Sequence, residues 1–380
     1  MFSGTNKADG AFDFWGYAQR TSASVILLNN GENRWYQRGV PGFGEGADGT
    51  AAVIQQWADR LGAKDISLIG ASMGGSAAVM LGALVGGRVL AFSFEANVRG
   101  EGTRSVKYIP ADYPLTYPDL KPLIRTSKTP ILSILGGGDI IDVVEAHRLR
   151  GVENLKLILL RSVDHGVPRY LRAPTDRLTP LLDAFVMERP LPDFPDADND
   201  LEIEGYGEAI AAAHLADLAR RPDETLAHAQ AALELVPTSY PALLISGRLL
   251  AKQGRHREAL LHAGAALTQC PREAEARLLY GSCLRRAMRL RQAEAFHRET
   301  LLAAPKDHRV LYDLGLVKLA AKDRQGALGP IRAAHELAPA NRAYAERLEA
   351  LEALLKPREK VAPTEAIRKR QAAKRPPPDA

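Results

Sequence analysis

The sequence has 380 residues, which is too long for one ordinary domain and indicates about two or three. Apolar residues make up 46% and charged residues 25%, as in ordinary globular proteins, and 32 glycines with 24 prolines exclude a collagen-like or broadly disordered chain. The net charge of +5 equals the excess of eight basic over three acidic residues within 356–380, so the rest is neutral overall and no nucleic-acid partner is predicted.

Short apolar runs alternate with helical patterns in the first half of the chain. The runs predict strands, and the patterns between them predict helices such as that at Ala47–Leu61. This alternation predicts an α/β fold, in which a mostly parallel sheet carries helices on both faces. The predicted strands are Ala23–Asn29, Asp65–Ile69, Val89–Phe94, Pro130–Leu135 and Leu155–Leu160.

The clearest local motif is Gly70-Ala71-Ser72-Met73-Gly74, which lies between a predicted strand and a helix of small residues. Its glycines permit a tight turn that lifts the Ser72 hydroxyl out of the sheet, as in a nucleophile elbow. A serine needs a base, and the base needs an orienting acid. Candidates for both follow later strands, in the loops Gly136-Gly137-Gly138-Asp139 and Asp164-His165-Gly166.

These three segments resemble the α/β-hydrolase family, and the resemblance covers about residues 1–187. It implies that Ser72 is the nucleophile, His165 the general base and Asp139 the acid that holds the imidazole. Asp142, three residues after Asp139, and Glu95, at the end of another strand, stay open as alternatives for the acid. We therefore expect a serine hydrolase that cleaves an ester through an acyl-enzyme. An acyltransferase to a glycan hydroxyl would use the same residues.

The resemblance also implies an oxyanion hole and a substrate loop. The backbone N–H groups of Met73, after the nucleophile, and of Thr5, at an early strand end, would form the oxyanion hole. Arg34, Trp35 and Tyr36 follow a predicted strand and are candidates for the substrate loop, although the two aromatic rings are as well suited to packing beneath it. Together these segments are similar to hydrolase-like proteins of bacterial surface-polysaccharide contexts, which implies an acylated-glycan substrate.

The insertion between Val98 and Lys128 contains four prolines and three tyrosines. Insertions at this place in the fold cover the site and shape its pocket. Because this one has only about thirty residues, we expect a small lid and an open site that accepts a bulky or extended substrate.

The second half of the chain repeats with a period of 34 residues. Residues 188–202, rich in Pro and Asp, are predicted to be a linker before it. Proline, glycine and alanine each recur at this period with fixed offsets, which resembles the tetratricopeptide repeat (TPR). The positions are Pro237, Pro271, Pro305 and Pro339; Gly247, Gly281 and Gly315; and Ala259, Ala293 and Ala327.

The repeat predicts an all-α TPR solenoid over 203–355. Four units at about 206–239, 240–273, 274–307 and 308–341 precede a closing helix at 342–355. The resemblance implies a groove that binds a protein or peptide partner, so an interaction scaffold with an inactive hydrolase half is a further alternative. Residues 356–380 are predicted to be a basic, disordered tail.

Several classes of site are absent from the sequence. Two cysteines, Cys270 and Cys283, exclude a disulfide framework, and no spacing of histidines or glycines predicts a metal or cofactor site. No stretch approaches about 18 consecutive apolar residues, so no membrane span is predicted. The first residues lack a signal-peptide pattern, and a cytoplasmic protein is expected.

Overall fold

The computed structural model describes residues 1–8 and 10–356. It divides into two compact units, of which the first is Met1–Cys283 and the second begins at Leu284. The predicted boundaries of the α/β part, the linker and the solenoid are not tested by this division and stay predictions. The predicted tail at 356–380 lies, apart from its first residue, outside the described residues.

A five-stranded sheet forms the centre of the α/β part. Its strands follow one another in chain order across the sheet, the first four parallel and the fifth antiparallel. The two middle parallel strands are buried along nearly their whole length, which explains why they read as continuous apolar runs. The strands are β1 Ser67–Ala71, β2 Arg88–Phe92, β3 Ile131–Gly136, β4 Leu155–Leu160 and β5 Ala197–Asp198.

Seven helices belong to the α/β part. Those directly after β1, β3 and β4 begin at the carboxyl ends of those strands, so the loops that carry the sequence motifs meet at one edge of the sheet. The helices are α1 Trp15–Ala18, α2 Gly46–Leu61, α3 Met73–Val85, α4 Leu120–Thr126, α5 Ile140–Leu149, α6 Val167–Arg172 and α7 Leu178–Val186.

Two segments of this part differ from the sequence prediction. Ala23–Asn29 does not form a strand, because Phe2 pairs with it through a single bridge to Leu28 and pairs on its other side with Gly70. The chain turns away directly afterwards, where the Gly4 N–H donates to the Asp13 carboxylate at 2.8 Å, so no longer ladder forms. The segment 188–202 is not wholly a linker, since β5 lies within it.

The repeats fold as pairs of helices with the period seen in the sequence. Their first helices begin at residues 206, 240, 274, 308 and 342, and their second helices at 222, 256, 290 and 324. Every step in both series is 34 residues. The helices are α8 Tyr206–Leu218, α9 Pro222–Leu235, α10 Tyr240–Lys252, α11 His256–Gln269, α12 Ala274–Arg286, α13 Leu290–Ala303, α14 His308–Ala320, α15 Arg324–Leu337 and α16 Arg342–Leu355.

Small residues at the repeated positions allow paired helices to approach closely. In the first unit, a Cβ on Gly247 of α10 would lie 3.4 Å from the backbone nitrogen of Ala263 on α11. In the second unit, a Cβ on Gly315 of α14 would lie 2.4 Å from Cγ1 of Ile331 on α15. The repeating glycines therefore mark where two helices cross, and alanine occupies the facing side, with Ala259 and Ala327 fully buried.

Candidate active site

The Gly70–Gly74 turn holds Ser72 between β1 and α3. Ser72 has φ 55° and ψ −124°, a backbone conformation that a side chain rarely adopts. Glycine is required on both sides, because a Cβ on Gly70 would lie 1.9 Å from the Gly74 carbonyl oxygen and one on Gly74 would lie 2.4 Å from the Phe2 oxygen. The motif thus forms the strand-turn-helix elbow expected from the sequence, with the serine at the start of a helix.

The loop after β4 brings His165 to Ser72. Nε2 of His165 lies 2.9 Å from Oγ of Ser72, although 93 residues separate them in the chain. The imidazole is partly exposed, at 26% of its surface, so a substrate can reach the pair. This distance is that of a nucleophile and its base.

Asp142, and not Asp139, contacts the imidazole. Oδ1 of Asp142 lies 2.8 Å from Nδ1 of His165, and its Oδ2 accepts the Gly136 N–H at 3.1 Å. Asp139 instead caps α5, accepting the N–H groups of Ile141 at 2.9 Å and of Asp142 at 3.1 Å. The assignment of Asp139 was therefore wrong: the first aspartate caps the helix, and the second, almost one turn further on, is directed into the site.

The third carboxylate that the sequence left open, Glu95, serves the backbone. Its Oε1 accepts the N–H of Arg104 and its Oε2 accepts the N–H of Ser105 at 3.1 Å. The side chain is 3% exposed. Glu95 thus anchors the start of the insertion and does not contact His165.

Burial and charge act in opposite directions on the two titrating groups. Burial works against ionisation of Asp142, but the charges of His165 and Arg104 outweigh it and lower the pKa of this carboxyl. Burial also works against the imidazolium, yet the Asp142 carboxylate outweighs it and raises the pKa of His165 above its ordinary value. Asp142 is therefore ionised and His165 is a stronger base than a free imidazole.

The two predicted oxyanion donors lie on either side of Ser72. Met73 is the first residue of α3, where backbone N–H groups have no partner within the helix. A Cβ built on Gly4 would lie 4.0 Å from the Ser72 Cβ, so the segment with Thr5 passes beside the nucleophile. Since the Gly4 N–H donates to Asp13, Thr5 remains the predicted second donor.

The three residues predicted for a substrate loop support the scaffold instead. Trp35 and Tyr36 are 1% and 0% exposed, and the Tyr36 hydroxyl donates to backbone oxygen while accepting the Ser3 N–H at 3.1 Å. Arg34 donates to the backbone oxygen of Tyr108. This prediction was wrong for the aromatic pair, whose apolar rings are worth more to the core than to a wet loop.

A cavity of about 460 Å³ opens beside Ser72 and His165. Its walls are mainly apolar, and two cations, Arg169 and Arg172, are among its lining residues. None of Arg34, Trp35 and Tyr36 lines it. The apolar lining comes from Phe14, Ala71, Pro168, Ala173 and Leu178.

Sequence reasoning missed one charged neighbour of the site. Arg104 lies within the insertion between Val98 and Lys128, and its Nη1 is 3.2 Å from Oδ1 of Asp142, while its Nη2 pairs with Asp139. No local motif marks this arginine, and only its contacts reveal it.

Within the described residues, no group of histidine, cysteine and acidic side chains could hold a metal ion. Across the same residues, none of the helices has the length and apolar character needed to span a membrane.

The comparisons with known proteins concern the helical part alone. No family model matches the sequence, and no curated protein is similar to it. The solved structures similar to this chain include YrrB, described as a TPR protein with an unusual peptide-binding site, at 18% identity and a TM-score of 0.36, covering 40% of this chain and 77% of that one. Another is TTC0263, a TPR protein of Thermus thermophilus, at 18% identity and a TM-score of 0.36, covering 40% and 84%.

A third is residues 41 to the end of MamA from Desulfovibrio magneticus RS-1, at 19% identity and a TM-score of 0.35, covering 40% of this chain and 85% of that one. Similarity at this level says nothing of what the present chain binds or catalyses. The assignment of helical repeats rests on the 34-residue spacing of the helices themselves. None of the three similarities concerns an α/β-hydrolase.

Proposed function

We propose that this protein is a serine hydrolase that cleaves esters through an acyl-enzyme. One observation supports it above all others: the chain of two short contacts from Ser72 Oγ to His165 Nε2, at 2.9 Å, and from His165 Nδ1 to Asp142 Oδ1, at 2.8 Å. A buried carboxylate, an imidazole and a hydroxyl in this order are the parts of a charge-stabilised nucleophile.

In the proposed reaction, Ser72 Oγ attacks the ester carbonyl carbon while His165 Nε2 takes its proton. Asp142 stays ionised and stabilises the imidazolium that forms. The carbonyl oxygen becomes an oxyanion, for which the N–H groups of Met73 and Thr5 are the proposed donors. His165 then returns the proton to the leaving alcohol, and a water molecule, activated in the same way, releases the acid from Ser72.

The cavity indicates the class of substrate. Its apolar wall suits an aliphatic or aromatic group on one side of the ester, and Arg169 and Arg172 suit an anionic group near its mouth. An acylated glycan with acidic groups has this chemistry. Transfer of the acyl group to a glycan hydroxyl uses the same three residues, so analysis of products with and without a glycan acceptor separates transfer from hydrolysis.

Activity-based labelling tests the proposal directly. A fluorophosphonate probe should label the purified protein, and Ser72→Ala should abolish labelling with no loss of helical circular dichroism. Ser24→Ala, at an exposed serine outside this cavity, is the matched control and should label like the wild type. Labelling that survives Ser72→Ala unchanged would contradict the proposal.

A second candidate function is binding of a protein or peptide by the helical repeats. The observation that favours it is the regular series of helix pairs, an architecture that presents extended concave surfaces. Two of the similar structures are TPR proteins, and one of them is described as having a peptide-binding site.

The two candidate functions give different outcomes in one pair of measurements. Full-length protein with a probe-reactive Ser72 and a partner crosslinked within residues 206–355 would support an enzyme recruited by its repeats. A crosslinked partner together with an unreactive Ser72 would favour a scaffold alone. Absence of any crosslinked partner would count against the binding function.

A further inference from the structure

The guanidinium of Arg104 contacts the acid of the proposed site. Its Nη1 lies 3.2 Å from Oδ1 of Asp142, which is the same oxygen that faces His165 Nδ1 at 2.8 Å. Its Nη2 pairs with Asp139 at the start of α5. One planar cation therefore joins the helix cap and the orienting carboxylate.

The arginine is itself held in place. The buried Glu95 accepts the backbone N–H of Arg104 and that of Ser105, which fixes the start of the insertion against the end of β2. The Arg104 side chain is 19% exposed, while Asp142 is 1% exposed. Little water competes for these contacts, so the pair is less screened than an ion pair on the surface.

We propose that Arg104 is a positioning residue, which holds the Asp142 carboxylate against His165 and sets the pH range in which His165 acts as a base. The inference rests on the proposed hydrolase function. Arg104 is too far along the chain from Ser72 and His165 for any local motif to include it. It acts through Asp142 and has no assigned contact with substrate.

The physical argument concerns how strong the base should be. Asp142 alone, buried beside His165, would favour the imidazolium and leave the base already protonated near neutral pH. The positive charge of Arg104 disfavours the imidazolium and lowers the pKa of His165, whereas Asp142 and Asp139 raise it. Arg104 thus limits the effect of the carboxylates while keeping Asp142 ionised.

The charged groups around the imidazole come from four segments, and any of them can contribute to its titration. They are Glu95 after β2, Arg104 in the insertion, Asp139, Asp142 and Glu145 at or in α5, and Asp164 and Arg169 around the His165 loop. Asp164 and Arg169 pair with each other at 2.6 Å, and Glu145 accepts the Ala96 N–H at 2.7 Å. Arg104 is the only cation in this set that contacts Asp142.

The test is the pH dependence of the rate at which the fluorophosphonate probe labels Ser72, measured from about pH 5 to pH 9, where histidine titrates. Arg104→Met removes the charge and keeps much of the bulk. Its midpoint should move up by about one pH unit, the size of shift that one neighbouring charge produces. The rate at the alkaline plateau should fall several-fold, because Asp142 is less firmly held.

Two further variants separate charge from geometry. Arg104→Lys keeps the charge without the two-pronged guanidinium, so its midpoint should stay near that of the wild type while its plateau falls. Asp139→Asn keeps a good helix cap but removes a negative charge, so its midpoint should move down, opposite in sign to that of Arg104→Met. A purely structural role for Arg104 would not produce these opposite shifts.

The outcomes distinguish this inference from the function on which it rests. An unchanged midpoint in a folded Arg104→Met protein overturns it, and if that variant does not fold, an unchanged or raised midpoint in Asp139→Asn does so. If Ser72 of the wild type is not labelled at any pH, the proposed function fails instead. The His165 imidazole is then titrated by NMR in wild type and Arg104→Met, its signal assigned from His165→Gln, and equal pKa values overturn the inference.

Discussion

The α/β part and the helical repeats differ in how far their sequences determine their details. In the repeats, the helices begin at the same position of every 34-residue unit, as the spacing of proline, glycine and alanine predicts. In the α/β part, the nucleophile motif is just as clear, but the acid, the substrate loop and the first predicted strand all differ from expectation.

The difference follows from the distance along the chain over which each feature is decided. A repeat packs mostly against its own and the next helix, so neighbouring residues carry nearly all the information. The proposed active site joins Ser72, Asp142 and His165 from three separate loops, and no neighbouring residue reports which carboxylate turns inward. Variants that act on each part should therefore fail in different ways.

The largest effect is expected at the acid. Asp142→Asn should lower the rate of ester hydrolysis by about four orders of magnitude, because an amide cannot stabilise the imidazolium and favours the wrong tautomer. Asp139→Asn should lower the rate at pH 8 by less than about tenfold, because asparagine also caps a helix. Steady-state hydrolysis of nitrophenyl esters of graded acyl length measures both.

Equal losses in the two aspartate variants would mean that the helix cap, and not contact with His165, is what the site requires. The ranking of Asp142 above Asp139 would then be lost, and with it the contrast between a site assembled from distant loops and repeats determined locally.

The next effect is expected in the second unit, where two helical glycines provide a matched pair. A Cβ on Gly315 would lie 2.4 Å from Ile331, whereas nothing lies within 4 Å of one on Gly329. Gly315→Ala should lower the free energy of unfolding by about 1–3 kcal/mol through overpacking. Gly329→Ala should raise it by up to about 1 kcal/mol, because glycine is a poor helix former.

Urea unfolding followed by circular dichroism measures both changes, and probe labelling of Ser72 should stay at the wild-type level in each variant. If the two substitutions had the same effect, close approach of α14 and α15 would not be the reason for glycine at the repeated position.

The smallest effect is expected at the edge strand β5. Burial, followed by the nearby charge of Asp200, raises the pKa of Asp198 to about 6. Because the folded protein then holds this proton more tightly than the unfolded chain, stability should fall as pH rises from about 4 to about 6, by about 1–2 kcal/mol after allowance for partial exposure. Thermal unfolding from pH 4 to 7 measures it.

Asp198→Asn should remove this part of the pH dependence, and it should be more stable than the wild type at pH 7 by a similar amount. An identical pH profile in the variant would show that Asp198 titrates normally, and that β5 is less buried against β4 than the hydrogen-bond register of Leu159 and Leu160 indicates.

Much of the candidate site was predictable because its motifs are local. The glycines around Ser72 are required by clashes of 1.9 and 2.4 Å within or next to the turn, so the turn is encoded where it occurs. His165 is the only histidine after the last parallel strand of this part, and the rule that loops after parallel strands meet at one sheet edge brings it to Ser72.

The remaining features depended on the environment of each side chain. Asp139 and Asp142 belong to the same residue type in the same loop, and only the geometry of α5 makes the first a cap and the second an inward ligand of His165. Trp35 and Tyr36 had the composition of a binding loop, but the space beneath them took both rings into the core.

The sequence by itself determined the two architectures, the 34-residue spacing and the elbow at Ser72, because hydrophobic periodicity and glycine sterics act over a few neighbouring residues. Only the tertiary structure decided which aspartate faces His165, that Arg104 joins Asp139 to Asp142, and that apolar walls surround the nucleophile. Those features depend on contacts between segments tens of residues apart, where burial and the arrangement of charges, and not local propensity, select the partner.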